Sequence, residues 1–208
     1  FNHAHLGDLD IIIGWGQEEN AININAHIED PKNNGITDVN GEVRLGAPPR
    51  GGLDLMINTQ NIDLYFLNKY TKEIFTNMNG RASGWTRVFG PFKDINLAGD
   101  MFVTKGSTKV NATNVDYYLA NDSVILRPDI IQFKDAYIYD HLGSPGKDEH
   151  YATVNGALYH NSLKNLSYDF EINATNILGF NEKEFGDNTF CGVAYATGKI
   201  DIEGEPGK

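Results

Sequence analysis

Apolar and polar residues alternate with a period of two over several stretches of the chain. Ile22, Ile24, Ala26 and Ile28 alternate with Asn23, Asn25, His27 and Glu29. Ile95, Leu97, Gly99, Met101 and Val103 alternate with Asp94, Asn96, Ala98 and Asp100. Leu166, Tyr168, Phe170, Ile172 and Ala174 alternate with Ser167, Asp169, Glu171 and Asn173. Successive side chains of a strand point to opposite faces, so each stretch predicts a strand with one dry and one wet face. That is the pattern of an antiparallel or solenoidal sheet. Residues 130–140 also read as a strand, with an irregularity near Asp135. Residues 8–15 contain three consecutive isoleucines and read as a strand covered on both faces. In residues 195–204, Ile200, Ile202 and Gly204 share a face. One short helix is expected within 63–75, where Leu64, Leu67, Thr71 and Ile74 fall near helical spacing and Asp63 is placed to cap it.

One hexamer is written three times: Ile57-Asn-Thr-Gln-Asn-Ile62, Val110-Asn-Ala-Thr-Asn-Val115 and Ile172-Asn-Ala-Thr-Asn-Ile177. Each copy has an apolar-x-Gly step upstream: Val39-Asn-Gly41, Leu97-Ala-Gly99 and Val154-Asn-Gly156. Such recurrence predicts repeated supersecondary units, none able to bury its apolar face alone. The uneven spacing of the copies argues for repeats with insertions rather than a strict β-helix.

Composition narrows the class. The 208 residues carry 17 Lys+Arg against 28 Asp+Glu, a formal net charge of −11. This acidity excludes a nucleic-acid or anionic-lipid surface as the expected partner, since both require Lys and Arg. Hydrophobic residues make up 40%, enough for a core, and no stretch approaches the ~20 apolar residues of a membrane span. Opening on Phe1 and ending on Gly204-Glu-Pro-Gly-Lys208, the chain reads as one repeat-built β domain, residues 1–208, cut from a longer protein. Its end strands, 8–15 and 195–204, are then expected to self-associate or to be shielded by the termini.

Little in the chain points to chemistry. No G-x-S-x-G, H-E-x-x-H or phosphate-binding loop occurs. The stretch 46–52 reads as a turn, because it lacks the Lys-Ser/Thr of a phosphate loop and its two prolines remove N–H donors. The single cysteine, Cys191, reads as a small buried apolar residue. His3 and His5 would share a strand face, but a metal would need further ligands from elsewhere. Asp8/Asp10, Asp169/Glu171 and Asp201/Glu203 share strand faces on the polar side, where solvated charge is the expected state. No catalytic, cofactor-binding or metal-binding residue is assigned.

The run Gly80-Arg-Ala-Ser-Gly84, Phe89-Gly-Pro-Phe92 and Ile95-Asn-Leu-Ala-Gly-Asp100 resembles the TamB family of translocation and assembly modules, relatives of the AsmA-like proteins, in its Bacteroidota-type form. So do Val154-Asn-Gly-Ala-Leu-Tyr-His160 with Leu163–Ala174, and Lys183–Phe190 with Cys191-Gly192, where an aromatic is expected in place of Cys191. The resemblance implies a fragment of the C-terminal half of a periplasmic protein anchored in the inner membrane. It implies an elongated curled sheet forming an open trough, the β-taco, with solenoid-like repeats. It also implies lipid transport or outer-membrane biogenesis: phospholipid or outer-membrane-protein segments as cargo, and a TamA-like outer-membrane barrel as partner of the parent protein.

On this reading the fold is all-β and the function non-catalytic. The apolar lining is expected from Ile22, Ile24, Leu55, Ile57, Ile95, Leu97, Met101, Val103, Leu166, Tyr168, Phe170, Ile172, Ile200 and Ile202. Two other readings stand beside it: a structural or adhesive β-solenoid with a closed core, and a carbohydrate-active β-helix with two carboxylates facing across a cleft.

Overall fold

The computed structural model describes residues 7–17, 20–46, 51–141, 150–162, 164–182 and 191–205. His3, His5, residues 47–50 and 142–149, and the Lys183–Phe190 stretch lie outside the described residues. Of those described, 78% are in strands, so the expected all-β class holds.

Twelve strands form one antiparallel sheet: β1 (Asp8–Gly16), β2 (Ala21–Asp30), β3 (Gly35–Arg44), β4 (Gly52–Asp63), β5 (Phe75–Pro91), β6 (Asn96–Val110), β7 (Val115–Leu119), β8 (Asp122–Arg127), β9 (Ile130–Tyr139), β10 (Tyr151–Asn161), β11 (Lys164–Glu182) and β12 (Gly192–Gly204). Each strand lies beside the next in sequence, except that β7 and β8 share one place. Both pair with β6 on one side and β9 on the other. The fold is therefore a meander. Between β4 and β5 a 3₁₀ turn (Leu64–Leu67) runs into a four-residue helix, α1 (Asn68–Thr71), and the Asp63 carboxylate accepts the Tyr65 N–H at 2.9 Å, the cap expected of it. The Asn68 amide then mimics a strand partner. It accepts the Met78 N–H and donates to the Met78 carbonyl, fastening the helical turn to β5.

Three of the irregularities follow one design. Asp135 is left-handed (φ 49°) where the β9–β10 register slips, the break expected at that residue. Asn61 (φ 59°) and Asn176 (φ 47°) occupy the corresponding slips between β4 and β5 and between β11 and β12. An extra residue leaves its N–H without a ladder partner. At each of these bulges a side chain of the adjoining strand accepts it: Ser83 Oγ for Asn61, Asn155 Oδ1 for Asp135 and Thr197 Oγ1 for Asn176, at 2.8–2.9 Å. Asparagine suits such a site because its short polar side chain tolerates the left-handed region.

The three hexamers lie at one end of the sheet, and the fifth residue of each, Asn61, Asn114 or Asn176, is left-handed. Their local structures differ, however. Two are strand bulges, and the third is the tight β6–β7 turn, closed by Asn114 N–H donating to the Val110 carbonyl. The upstream glycines Gly41 and Gly156 sit mid-strand at φ +149° and +142°, where a Cβ would come within about 2 Å of a neighbouring carbonyl oxygen. Only glycine fits there.

The second half of the sheet curls until strands distant in the order meet. At one end, the Asn181 N–H donates to the Thr113 carbonyl, Asn114 Nδ2 to the Asn181 carbonyl and Tyr117 Oη to the Leu178 carbonyl, bringing β11 back to β7. At the other, Ser162 Oγ donates to Asp94 Oδ1 at 3.0 Å, joining the turns after β10 and β5. Inside the first closure lies a small core of Ala152, Ala174 and Ile177, with Tyr117, Ile138 and Ile172 against it. Cys191 is exposed just before β12 rather than buried, because nothing among the described residues packs on this edge.

Replacing Ser83 by Ala should cost about 1 kcal/mol, since it strands a half-buried N–H; Thr197→Val should cost less, since water reaches Asn176. Asn61→Gly should be close to neutral and Asn61→Val clearly destabilising. Urea denaturation of the four variants measures this order.

Candidate functional site

Strand register decides which residues share a face, because directly paired residues of an antiparallel ladder point the same way. Starting from β2, Ile22 and Ile24 pair with Val43 and Gly41 of β3, and Gly41 and Val39 pair with Leu55 and Ile57 of β4. Leu55 pairs with Val88, Val88 with Leu97, and Gly84 with Met101. Met101 pairs with Val124, Val124 with Phe133, Phe133 with Gly156, Gly156 with Phe170 and Phe170 with Ile202. Ile172 and Ile200 follow from the same ladder, as do Val103, paired with Ala82, and Tyr168, paired with Gly204. Twelve of the fourteen expected lining residues thus fall on one face of one sheet. Leu166 joins them by its alternation with Tyr168 in β11, and Ile95 lies one residue before β6.

The same ladder adds residues that alternation alone did not single out. Leu9, Ile11, Ile13 and Trp15 of β1 pair with Ile28, Ala26, Ile24 and Ile22. Leu53, Val88, Leu126, Ile131, Phe133, Val154 and Leu158 complete the face. Phe133 and Phe170 meet edge to face across Gly156, with centroids 5.9 Å apart, and Tyr168 lies against Phe170 and over Gly204. Rings covering strand glycines supply the contact that the missing side chains cannot.

Burial on this face is partial. Val103 and Leu158 are buried, most of the others are half-buried, and Ile202 remains 40% exposed. No second sheet covers the face among the described residues. Strand β1 departs most from expectation: it is an edge strand, and Ile11, Ile12 and Ile13 are exposed instead of covered on both faces.

The opposite face is polar and paired. Arg87 makes two hydrogen bonds to the Asp54 carboxylate, at 2.7 and 2.5 Å, and holds that carboxyl below its ordinary range. Lys199 lies 2.6 Å from Glu171, whose carboxyl is likewise lowered by that hydrogen bond and by one from Asn173. Asp201 is directly opposite Glu171 and also within reach of Lys199. His27 is bound to Asp38 at 2.7 Å, which raises its imidazole value. Met56, Trp85 and Phe102 interrupt this face with exposed apolar surface. An open depression over β1–β3, lined by Ile12, Asn23, Ile24, Asn25, Asn40 and Glu42, sets amides and a single carboxylate beside apolar surface.

Asp140, His141 and His150 gather where β9 and β10 connect. Asp140 accepts the Leu178 N–H, His150 Nδ1 binds the Asn176 carbonyl and His141 binds Asp140, so these groups tie β11 in place. No group of three or more His, Cys, Asp or Glu able to hold a metal occurs among the described residues. No described helix is long and apolar enough to cross a membrane. His160 is buried between the turns, with Nδ1 3.8 Å from the Asp129 carboxylate. Burial pushes its imidazole below the ordinary value, and Asp129 only partly opposes this.

The fold and this face define a class: a single-sheet antiparallel meander with one continuous, half-open apolar face and one ion-paired polar face. No protein-family model, curated protein or solved structure matches the chain.

Because His160 is held neutral by burial, the unfolded chain takes up its proton first as the pH falls below about 6.5. The contribution of His160 to stability is therefore full above that value and is lost as the pH drops toward the folded-state value. Chemical denaturation from pH 8 to pH 5 should show this loss in the wild-type chain and a shallower slope in His160→Gln.

Proposed function

We propose that the apolar face shelters extended apolar cargo, and that the chain is a trough segment of a TamB-like translocation and assembly protein of the periplasm. Its cargo would be phospholipid acyl chains or outer-membrane-protein segments in transit between the inner and outer membranes. The parent protein would deliver them to a TamA-like outer-membrane barrel. The observation carrying this reading is the apolar face itself, which runs from β1 to β12 and remains half-exposed. Contiguous apolar surface on this scale marks an interaction site. Each CH₂ moved from water onto it gains about 0.8 kcal/mol. The assignment to the TamB family rests on the resemblance of residues 80–100, 154–174 and 183–192.

The open face weighs against a structural solenoid with a sealed core. A non-enzymatic role is supported by the state of the titratable groups. Asp54 and Glu171 are held ionised by Arg87 and Lys199, which unfits them to donate a proton as a glycosidase acid must. His160 is buried away from Cys191, which lies exposed at the sheet edge.

Lipid extraction and native mass spectrometry of the chain purified from a Gram-negative periplasm test this reading. The wild-type chain should carry phospholipid or an apolar peptide. Leu97→Asp and Phe170→Asp, placed on the apolar face, should lower retention by about tenfold, equivalent to ~1.4 kcal/mol. Asn58→Asp and Ser167→Asp, on the polar face, should retain it. Asn96 is unsuitable as a control because its side chain accepts the Asp129 N–H. Equal retention by folded variants of both faces would refute a cargo role.

A further inference from the structure

The two edges of the sheet are unlike. Strand β12 alternates Lys199, Asp201 and Glu203 along its polar face and slips register twice against β11. Charge and irregularity of this kind protect an edge from pairing. Strand β1 has no such irregularity, and its charge is confined to Asp8 and Asp10 at its start. Nine consecutive residues pair with β2 without a slip, and the segment contains no Lys, Arg or Pro. Among the described residues nothing pairs with its outer edge. Its large apolar side chains are between 48% and 73% exposed, with Ile12 the most exposed.

The order of residues in β1 selects what fits this edge. When the strand is laid antiparallel against itself with Ile12 opposite Ile12, Ile11 meets Ile13 and Leu9 meets Trp15. The two carboxylates, Asp8 and Asp10, then face Gly16 and Gly14. No like charges oppose one another, and the glycines leave the carboxylates open to water. A shift that centres the pairing on Asp10 sets two carboxylates face to face. Odd-numbered residues pair only with odd-numbered residues in the Ile12-centred register, so the apolar faces of both copies stay on the same side.

We propose that this chain dimerises through β1, antiparallel to β1 of a second copy, about a two-fold axis at Ile12. The apolar face then continues unbroken from one copy to the next, and an isologous pair of this kind is closed rather than open-ended. The inference goes beyond the cargo reading and does not depend on it. It concerns the edge of the sheet, whereas cargo would occupy the face.

Light scattering over a concentration series tests it. The wild-type chain should reach twice the mass of a single copy. Ile12→Lys, which sets two ammonium groups together at the axis, should halve that mass. Val193→Lys on the β12 edge should leave it unchanged. An equimolar mixture of Ile12→Lys and Ile12→Glu should restore the doubled mass, because opposite charges then meet. In a Cys191→Ser background, Ile12→Cys should form a disulfide-linked dimer on oxidation, since opposed Cα atoms of antiparallel strands lie within disulfide reach. Three results would overturn the proposal: a wild-type chain that stays monomeric across the concentration series, a dimer that Ile12→Lys leaves intact, or one that Val193→Lys dissociates.

Discussion

A single sheet separates apolar from polar surface only if every strand keeps its alternation in phase with its neighbours. A slip of one residue turns a strand's entire apolar set to the wrong side. That constraint accounts for the bulges. Each inserted residue reverses the phase of its strand, so it sits where the sequence itself changes phase. The clearest case is Lys105, left-handed at φ 51°, opposite the gap between β7 and β8. Val103 and Gly106, three residues apart, come to lie on the same side; a Cβ on Gly106 would touch Val103. On the β7–β8 side both strands change phase together and keep one register, whereas on the β5 side the register shifts between Asn79 and Arg81.

The cost of a one-layer design is a small interior. Val115 is the one large side chain that is fully buried among the described residues, and the rest of the core is mostly alanine. Stability must then come from the ladders and from side chains that complete them. The acceptors at the bulges serve this end, as do the Asn68 clamp on β5 and the links from Thr113 and Asn114 to Asn181. Asparagine is common here because one short side chain can adopt the left-handed backbone and also supply both donor and acceptor.

Much of this was legible from residues alone. Alternation placed Ile22, Leu97, Phe170 and Ile172 on the right side of their strands, the Asp63 cap was readable, and the bulge at Asp135 was visible as a break in pattern. What alternation could not supply was the relation between strands. Val88 stands between Arg87 and Phe89, and nothing local says which face it takes; the register against Leu55 does. The run Ile11-Ile12-Ile13 has no readable phase, and only its place at the edge explains why all three are exposed. The hexamers predict equivalent repeated units, yet the left-handed asparagine each contains serves a bulge in two copies and a tight turn in the third. Sequence could not tell one from the other.

The meander has a kinetic consequence. Almost every ladder joins strands adjacent in sequence, so each loop to be closed is short and its entropy cost small. Such a sheet can grow by adding hairpins to an existing edge, in the order in which the chain is synthesised, and low contact order of this kind speeds folding. Besides the β6–β8 and β7–β9 ladders, the long-range links are those between residues 113 and 181 and between residues 94 and 162. The first closure waits for β11, the second for the turn after β10. Growth in chain order therefore brings the curl of the second half after the strands of the first half are paired, with β12 still to be added.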